Sequence, residues 1–164
     1  MAARNYTLGG GGLTVASALV TLVGFLPSST YGVDVRRISI GWSGAATSTQ
    51  QRVEFYWQAS AYGTAVSMSP QKLKVNDPTP NLAGVTGALT AGKCGINFSA
   101  EGGGTKTVFY EDVFNVLNGY LWVATPDETI ICNAGSTLAF GVQFPATPGV
   151  GTAGWSINLT YCEI

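Results

Sequence analysis

The chain reads as an all-β protein, a two-sheet antiparallel sandwich or jelly roll of about eight to ten short strands. Three observations predict this. Apolar and polar residues alternate over several stretches of strand length, and no stretch long enough for a stable helix repeats its apolar residues at a helical period. The 22 glycines and 7 prolines punctuate the chain where turns must fall. At 164 residues the chain can bury about 70% of its unfolded surface in one core. A single sandwich domain over residues 13–164 is therefore expected, behind a flexible N-terminal arm at residues 1–12.

The arm carries Arg4, Asn5 and Tyr6, and Gly9 to Gly12 read as a joint between it and the body. Leu13 to Leu26, LTVASALVTLVGFL, is shorter than the roughly 20 apolar residues of a membrane-crossing helix. Four glycines precede it and no clear A-x-A site closes it, which argues against a secretory signal. The β-branched Thr14, Val15, Val20, Thr21 and Val23 suit one buried strand or two short ones. Val33 to Trp42 changes phase, because Val33 and Val35 share one parity while Ile38, Ile40 and Trp42 share the other. The slip predicts a β-bulge at Arg36-Arg37 that turns both guanidinium groups outward or to an edge.

Arg52 to Tyr62 alternates, with Val53, Phe55, Trp57, Ala59 and Ala61 on the core face and Arg52, Glu54, Tyr56, Gln58 and Ser60 opposite. Thr137 to Phe144 and Trp155 to Tyr161 follow the same rule. Shorter strands are expected at Lys72 to Val75, Gly95 to Ser99, Thr105 to Tyr110, Gly119 to Ala124 and Thr129 to Cys132. Tyr110 to Leu117 has the composition for a turn or two of helix. Long loops are expected at Asn76 to Gly92 and at Pro145 to Gly154, the first with Leu82 and Val85 as its apolar residues.

Composition narrows the chemistry. Only 10% of residues are charged and the net charge is -1, with Arg36 and Arg37 the sole adjacent basic pair, so no phosphate-neutralising patch for nucleic acid is expected. The chain has no histidine, which removes Ser-His-Asp and Cys-His nucleophile systems and the common zinc sites. Paired carboxylates remain conceivable as a glycosidase. Yet Glu111 and Asp112 are neighbours, as are Asp127 and Glu128, and neighbours on a strand point to opposite faces. No calcium-loop order is present among the acids, and Gly102 to Lys106 lacks the P-loop order. No enzyme, metal or cofactor is expected. Cys94, Cys132 and Cys162 are odd in number and widely spaced, which fits buried thiols better than a disulfide framework. Trp57 and Trp155 belong with the core, while Trp42 and Trp122 are open to either a core or a surface role.

Several short motifs carry a family resemblance. Phe114-Asn115, Gly119-Tyr120-Leu121-Trp122 and Thr125-Pro126-Asp127-Glu128 resemble the FN, G-aromatic and TPEE pattern of a family of tailed-phage virion structural proteins. Leu138 to Pro148, Ile157 to Ile164, Val35 to Gly41, Val53 to Trp57 and the opening Ala3-Arg4-Asn5-Tyr6 resemble further segments of it. The resemblance implies a capsid decoration or cement protein of the virion, many of which are small β-rich homotrimers. It implies the major capsid protein as partner, assembly in the host cytoplasm, and no membrane. Candidate subunit or capsid contacts are Arg4, Asn5 and Tyr6 in the arm and Leu82 and Val85 in the long loop. The alternative from another class is a carbohydrate-binding or tail-associated β-sandwich module, with Trp42 or Trp122 as stacking residues.

Overall fold

The computed structural model describes residues 4–15, 19–44 and 48–164. Among the described residues the chain forms strands and no α-helix, hence no helix that could cross a membrane. In chain order the strands are β1 (Arg4–Leu13), β2 (Val20–Leu26), β3 (Val33–Trp42), β4 (Gln50–Ala59), β5 (Thr64–Ser67), β6 (Gln71–Lys72), β7 (Ala83–Gly84), β8 (Gly87–Ala88), β9 (Lys93–Ala100), β10 (Thr105–Asn115), β11 (Tyr120–Val123), β12 (Ile130–Cys132), β13 (Leu138–Phe144) and β14 (Trp155–Glu163).

These strands build two sheets. The first runs β11-β3-β14-β1-β6, with β12 continuing the β11 edge along β3, and the second runs β10-β4-β13-β2-β9-β5-β8, with β7 added on β9. Among the described residues only the β7 pairing is parallel. The architecture is the expected sandwich, and the 14 strands among the described residues exceed the expected number because two-residue pairings form in and beside what the sequence reads as a loop.

Alternation explains the core. The inward parity of each sheet supplies Tyr6, Leu8, Ile38, Trp155, Ile157, Leu159 and Tyr161 from the first, and Phe25, Phe55, Phe140 and Phe144 from the second, all at most 1% exposed. Ring contacts run through this layer from Trp155 to Phe144 at 4.7 Å, Phe144 to Phe114 at 6.5 Å and Phe55 to Phe140 at 6.1 Å, in tilted and edge-on arrangements that the ring quadrupole favours. The expected bulge is present. Thr160 faces Arg37 and Tyr161 faces Val35, which leaves Arg36 as the extra residue, and both arginines are exposed. All three cysteines are free and buried, and burial pushes the Cys94 thiol up to about 12.

Two expectations are corrected. Residues 4–13 are no loose arm: β1 lies inside the first sheet, between β14 and β6, in register from Arg4 opposite Glu163 to Gly10 opposite Ile157. The glycines serve close approach. A Cβ at Gly9 would lie 2.2 Å from the Ile157 carbonyl oxygen, so this crossing admits only glycine. Tyr110 to Leu117 is not helical either. Most of it belongs to the 11-residue strand β10, which pairs along β4 from Thr105 opposite Ala59 to Asn115 opposite Gln50.

Candidate functional site

The five contact residues expected from sequence do not form an exposed patch. Tyr6 is fully buried and Leu82 is 3% exposed, while Arg4, Asn5 and Val85 are half-buried. The physical reasons are specific. Tyr6 sits on the inward parity of β1 and donates its hydroxyl to the Pro78 carbonyl at 3.1 Å. The loop carrying Leu82 is clamped by the Glu163 carboxylate, which accepts from the Asn81 amide N–H and the Asn81 Nδ2, both at 2.6 Å, and from the Leu82 N–H at 3.3 Å. Arg4 lies 5.9 Å from the centre of the Tyr31 ring, and Val85 packs on a small outer cluster with Leu26, Ala65, Leu89, Phe98 and Ala139.

Exposed apolar groups gather at a different place. The β10 edge of one sheet and the β11/β12 edge of the other meet along one side of the sandwich, where Phe55 of β4 contacts Tyr110 of β10 at 4.8 Å and Trp122 of β11 at 5.8 Å. A bulge in β10 between Val108 and Tyr110 turns two consecutive rings inward. Phe109 stacks on Trp57 at 5.0 Å, and Tyr110 stacks on Phe55. Val108, Phe109 and Val113 on β10, with Leu121, Val123 and Ile131 on the opposite edge, stay between 41% and 58% exposed.

Between these edges lies a cavity of about 270 Å³ lined by Phe109, Tyr110, Trp122, Glu128, Thr129 and Ile130. Next to it is a smaller one of about 160 Å³, lined by Trp57, Ile131, Leu138 and their neighbours. Sequence reasoning missed this seam although a signal was present: TVFYEDVF and YLWV place apolar residues on both parities, which an edge strand with one solvated face does not require. Of the two tryptophans left open, Trp122 lines the larger cavity. Trp42 packs on Trp155 at 6.3 Å and donates its Nε1–H to the Ala153 carbonyl at 2.9 Å.

Several of the acids are held in ion pairs. Arg52 Nη2 donates to Glu54 and to Glu111, each at 2.6 Å, so a guanidinium fills the space between these two carboxylates. Asp127 and Glu128 sit exposed in the β11–β12 turn. No group of three residues among His, Cys, Asp and Glu that could hold a metal ion occurs among the described residues. No protein-family model, curated protein or solved structure matches the chain.

Proposed function

We propose that this chain is a structural virion protein that decorates and stabilises a phage capsid by binding the shell of major capsid protein. The observation that carries the reading is that both strand edges along one side of the sandwich carry exposed apolar side chains, Val108 and Val113 beside the outer face of one sheet and Leu121 and Val123 beside that of the other, which fits a protein–protein contact made by shape and apolar burial. The motif resemblance in β10 to β12 falls on the same segment. A scaffold whose strand edges present apolar groups can bridge neighbouring shell subunits, and many equivalent weak contacts hold a shell through avidity. Stabilisation then follows by mass action, because the chain binds the assembled shell in preference to its dispersed subunits.

The test is copy number per particle, measured against the major capsid protein in purified virions or in heads reconstituted with the purified chain. A simple integer ratio supports a lattice-wide cement. A handful of copies moves the protein to the tail or portal, and none rejects the virion reading.

One observation favours a second reading. The 270 Å³ cavity combines Phe109, Tyr110 and Trp122 with Glu128 and Thr129, a pairing of ring faces with hydrogen-bonding groups that suits a sugar. Saturable quenching of tryptophan fluorescence by a polysaccharide, lost in Trp122→Ala, supports that reading against the first.

A further inference from the structure

The outer face of the second sheet carries a polar cluster built from three of its strands. Lys106 leaves β10, crosses the face of the Tyr56 ring with its Nζ 4.2 Å from the ring centre, and reaches the side chain of Gln143 on β13, two strands away. Its Nζ lies 2.8 Å from the Gln143 Oε1. The Glu101 carboxylate contacts the same Nζ and is anchored by the Thr21 N–H, which donates to its Oε1 at 2.7 Å. On the other side of the carboxamide, Gln143 Nε2 donates to Glu54 Oε2 at 2.7 Å. The carboxamide side of the site is shielded, with Gln143 2% exposed and Glu54 5%, while the Lys106 and Glu101 side chains are 16% and 22% exposed.

We propose that Lys106 and Gln143 form an intramolecular isopeptide bond, with Glu101 as the base at the amine and Glu54 as the group that holds the departing nitrogen. An amine, a carboxamide and a carboxylate on each are the components such a condensation needs, held in contact with the carboxamide buried. Burial also lowers the Lys106 ammonium pKa, against the opposing pull of Glu101, which favours the nucleophilic neutral amine.

The step balances without any co-reactant. Of the three protons on the Lys106 ammonium, one passes to Glu101, one to the departing Gln143 Nε2, and one stays on the new amide. The freed lone pair of Nζ forms the bond to Cδ while the carbonyl pair moves to Oε1. Collapse of that adduct breaks the Cδ–Nε2 bond and expels ammonia, and Glu101 returns its proton to the ammonia or to solvent. The attack requires Nζ to leave its hydrogen bond to Oε1 for the face of the carbonyl, which a rotation of the Gln143 carboxamide about its Cγ–Cδ bond presents to it. The product ties β10 to β13 across β4, over about 10 Å of sheet, and so pins the edge strand that carries Val108, Phe109 and Val113.

The experiment is the intact mass of the purified full-length chain, measured after denaturation, followed by peptide mapping. The expected result is a chain lighter than its sequence by one ammonia, with a branched peptide joining the Lys106 and Gln143 segments and no tryptic cleavage at Lys106. Lys106→Arg and Gln143→Ala should restore the full mass. Because either variant can disturb folding, Glu101→Gln is the companion: it keeps hydrogen-bonding capacity at the cluster and should yield a folded chain of full mass. A wild-type chain of full mass with native β-sheet circular dichroism overturns the proposal. So does a mass loss that persists in Lys106→Arg, since Asn118-Gly119 can also lose ammonia by cyclising. Neither result bears on copy number in the virion, so this proposal and the capsid reading fail separately.

Discussion

The two sheets bury their inner faces alike and differ on their outer ones. On the first, the outward parity of β14 and its neighbours is Ser39, Ser156, Asn158 and Thr160, exposed or half-buried, with Thr7 Oγ1 donating to Asn158 Oδ1 at 2.7 Å. On the second, the outward parity is Thr21, Glu54, Tyr56, Gln58 and Gln143, each at most 5% exposed. The chain after β9 folds back over that face: Glu101 binds Thr21, Lys106 and, through its carbonyl, Gln58 Nε2 at 3.0 Å. Polar outward residues on a strand are therefore no sign of a solvated face. They need water or each other, and here they have each other.

The comparison can be tested from the largest effect down. Trp155→Ala on the first sheet and Phe140→Ala on the second should each cost about 3–5 kcal/mol in urea unfolding, and a large difference between them would break the claim that the inner faces are equivalent. Glu54→Ala removes the acceptor of Arg52 and, in the chain without the Lys106–Gln143 bond, that of Gln143. Since the Arg52 side chain is 49% exposed, water takes back part of the loss, and about 2–3 kcal/mol is expected. Gly141→Ala would put a Cβ 2.3 Å from Cζ of the Tyr56 ring. The ring would have to leave its 2.6 Å hydrogen bond to Thr21, for a loss of about 1–3 kcal/mol by the same assay.

Asp34, on β3, is where the first sheet behaves like the second. It is 5% exposed, one of its carboxylate oxygens has no hydrogen-bond partner, and burial raises its pKa while Arg36 pulls the other way. An acid raised in the folded state binds its proton more tightly there, so its cost is absent below the unfolded pKa and complete once pH passes the folded value. Asp34→Asn should therefore gain up to about 1 kcal/mol at neutral pH and show no gain near pH 3, read as denaturation midpoints across pH. Last, Asn158→Ala on the solvated face should stay within about 0.5 kcal/mol of wild type. A larger loss would mean that the first sheet's outer face is also an organised layer.

Much of the fold was legible because one face of each strand obeys a single rule. Val53, Phe55, Leu138 and Phe140 do not, by themselves, reveal which partner strand they meet, yet period and parity locate their strands, and the slip at Arg36-Arg37 located a bulge. What escaped has a physical cause in each case. Glu54, Gln58 and Gln143 look like solvent-facing residues because burial of a polar group depends on a partner far along the chain. The glycines of β1 look like a joint because close backbone approach and flexibility call for the same residue. The candidate seam escaped because contact residues were sought in loops, whereas Val108, Leu121 and Ile131 lie on edge strands whose register fixes them at the surface.

The pairing of β1 with β14 sets an order on biogenesis. Arg4 meets Glu163, and the main chain at Gly32 and Ile164 exchanges hydrogen bonds of 2.9 and 3.2 Å. Within this sandwich β1 is synthesised well before β14, and it must wait for β14 before the first sheet can close. Until then Tyr6 and Leu8 have no neighbour on that side, and the long loop between the two strands must be closed against its entropy. Slow, late and nearly all-at-once folding is the expected course for such a chain, and a release of the nascent chain short of β14 would leave a sheet with an unpaired interior, open to pairing with another copy.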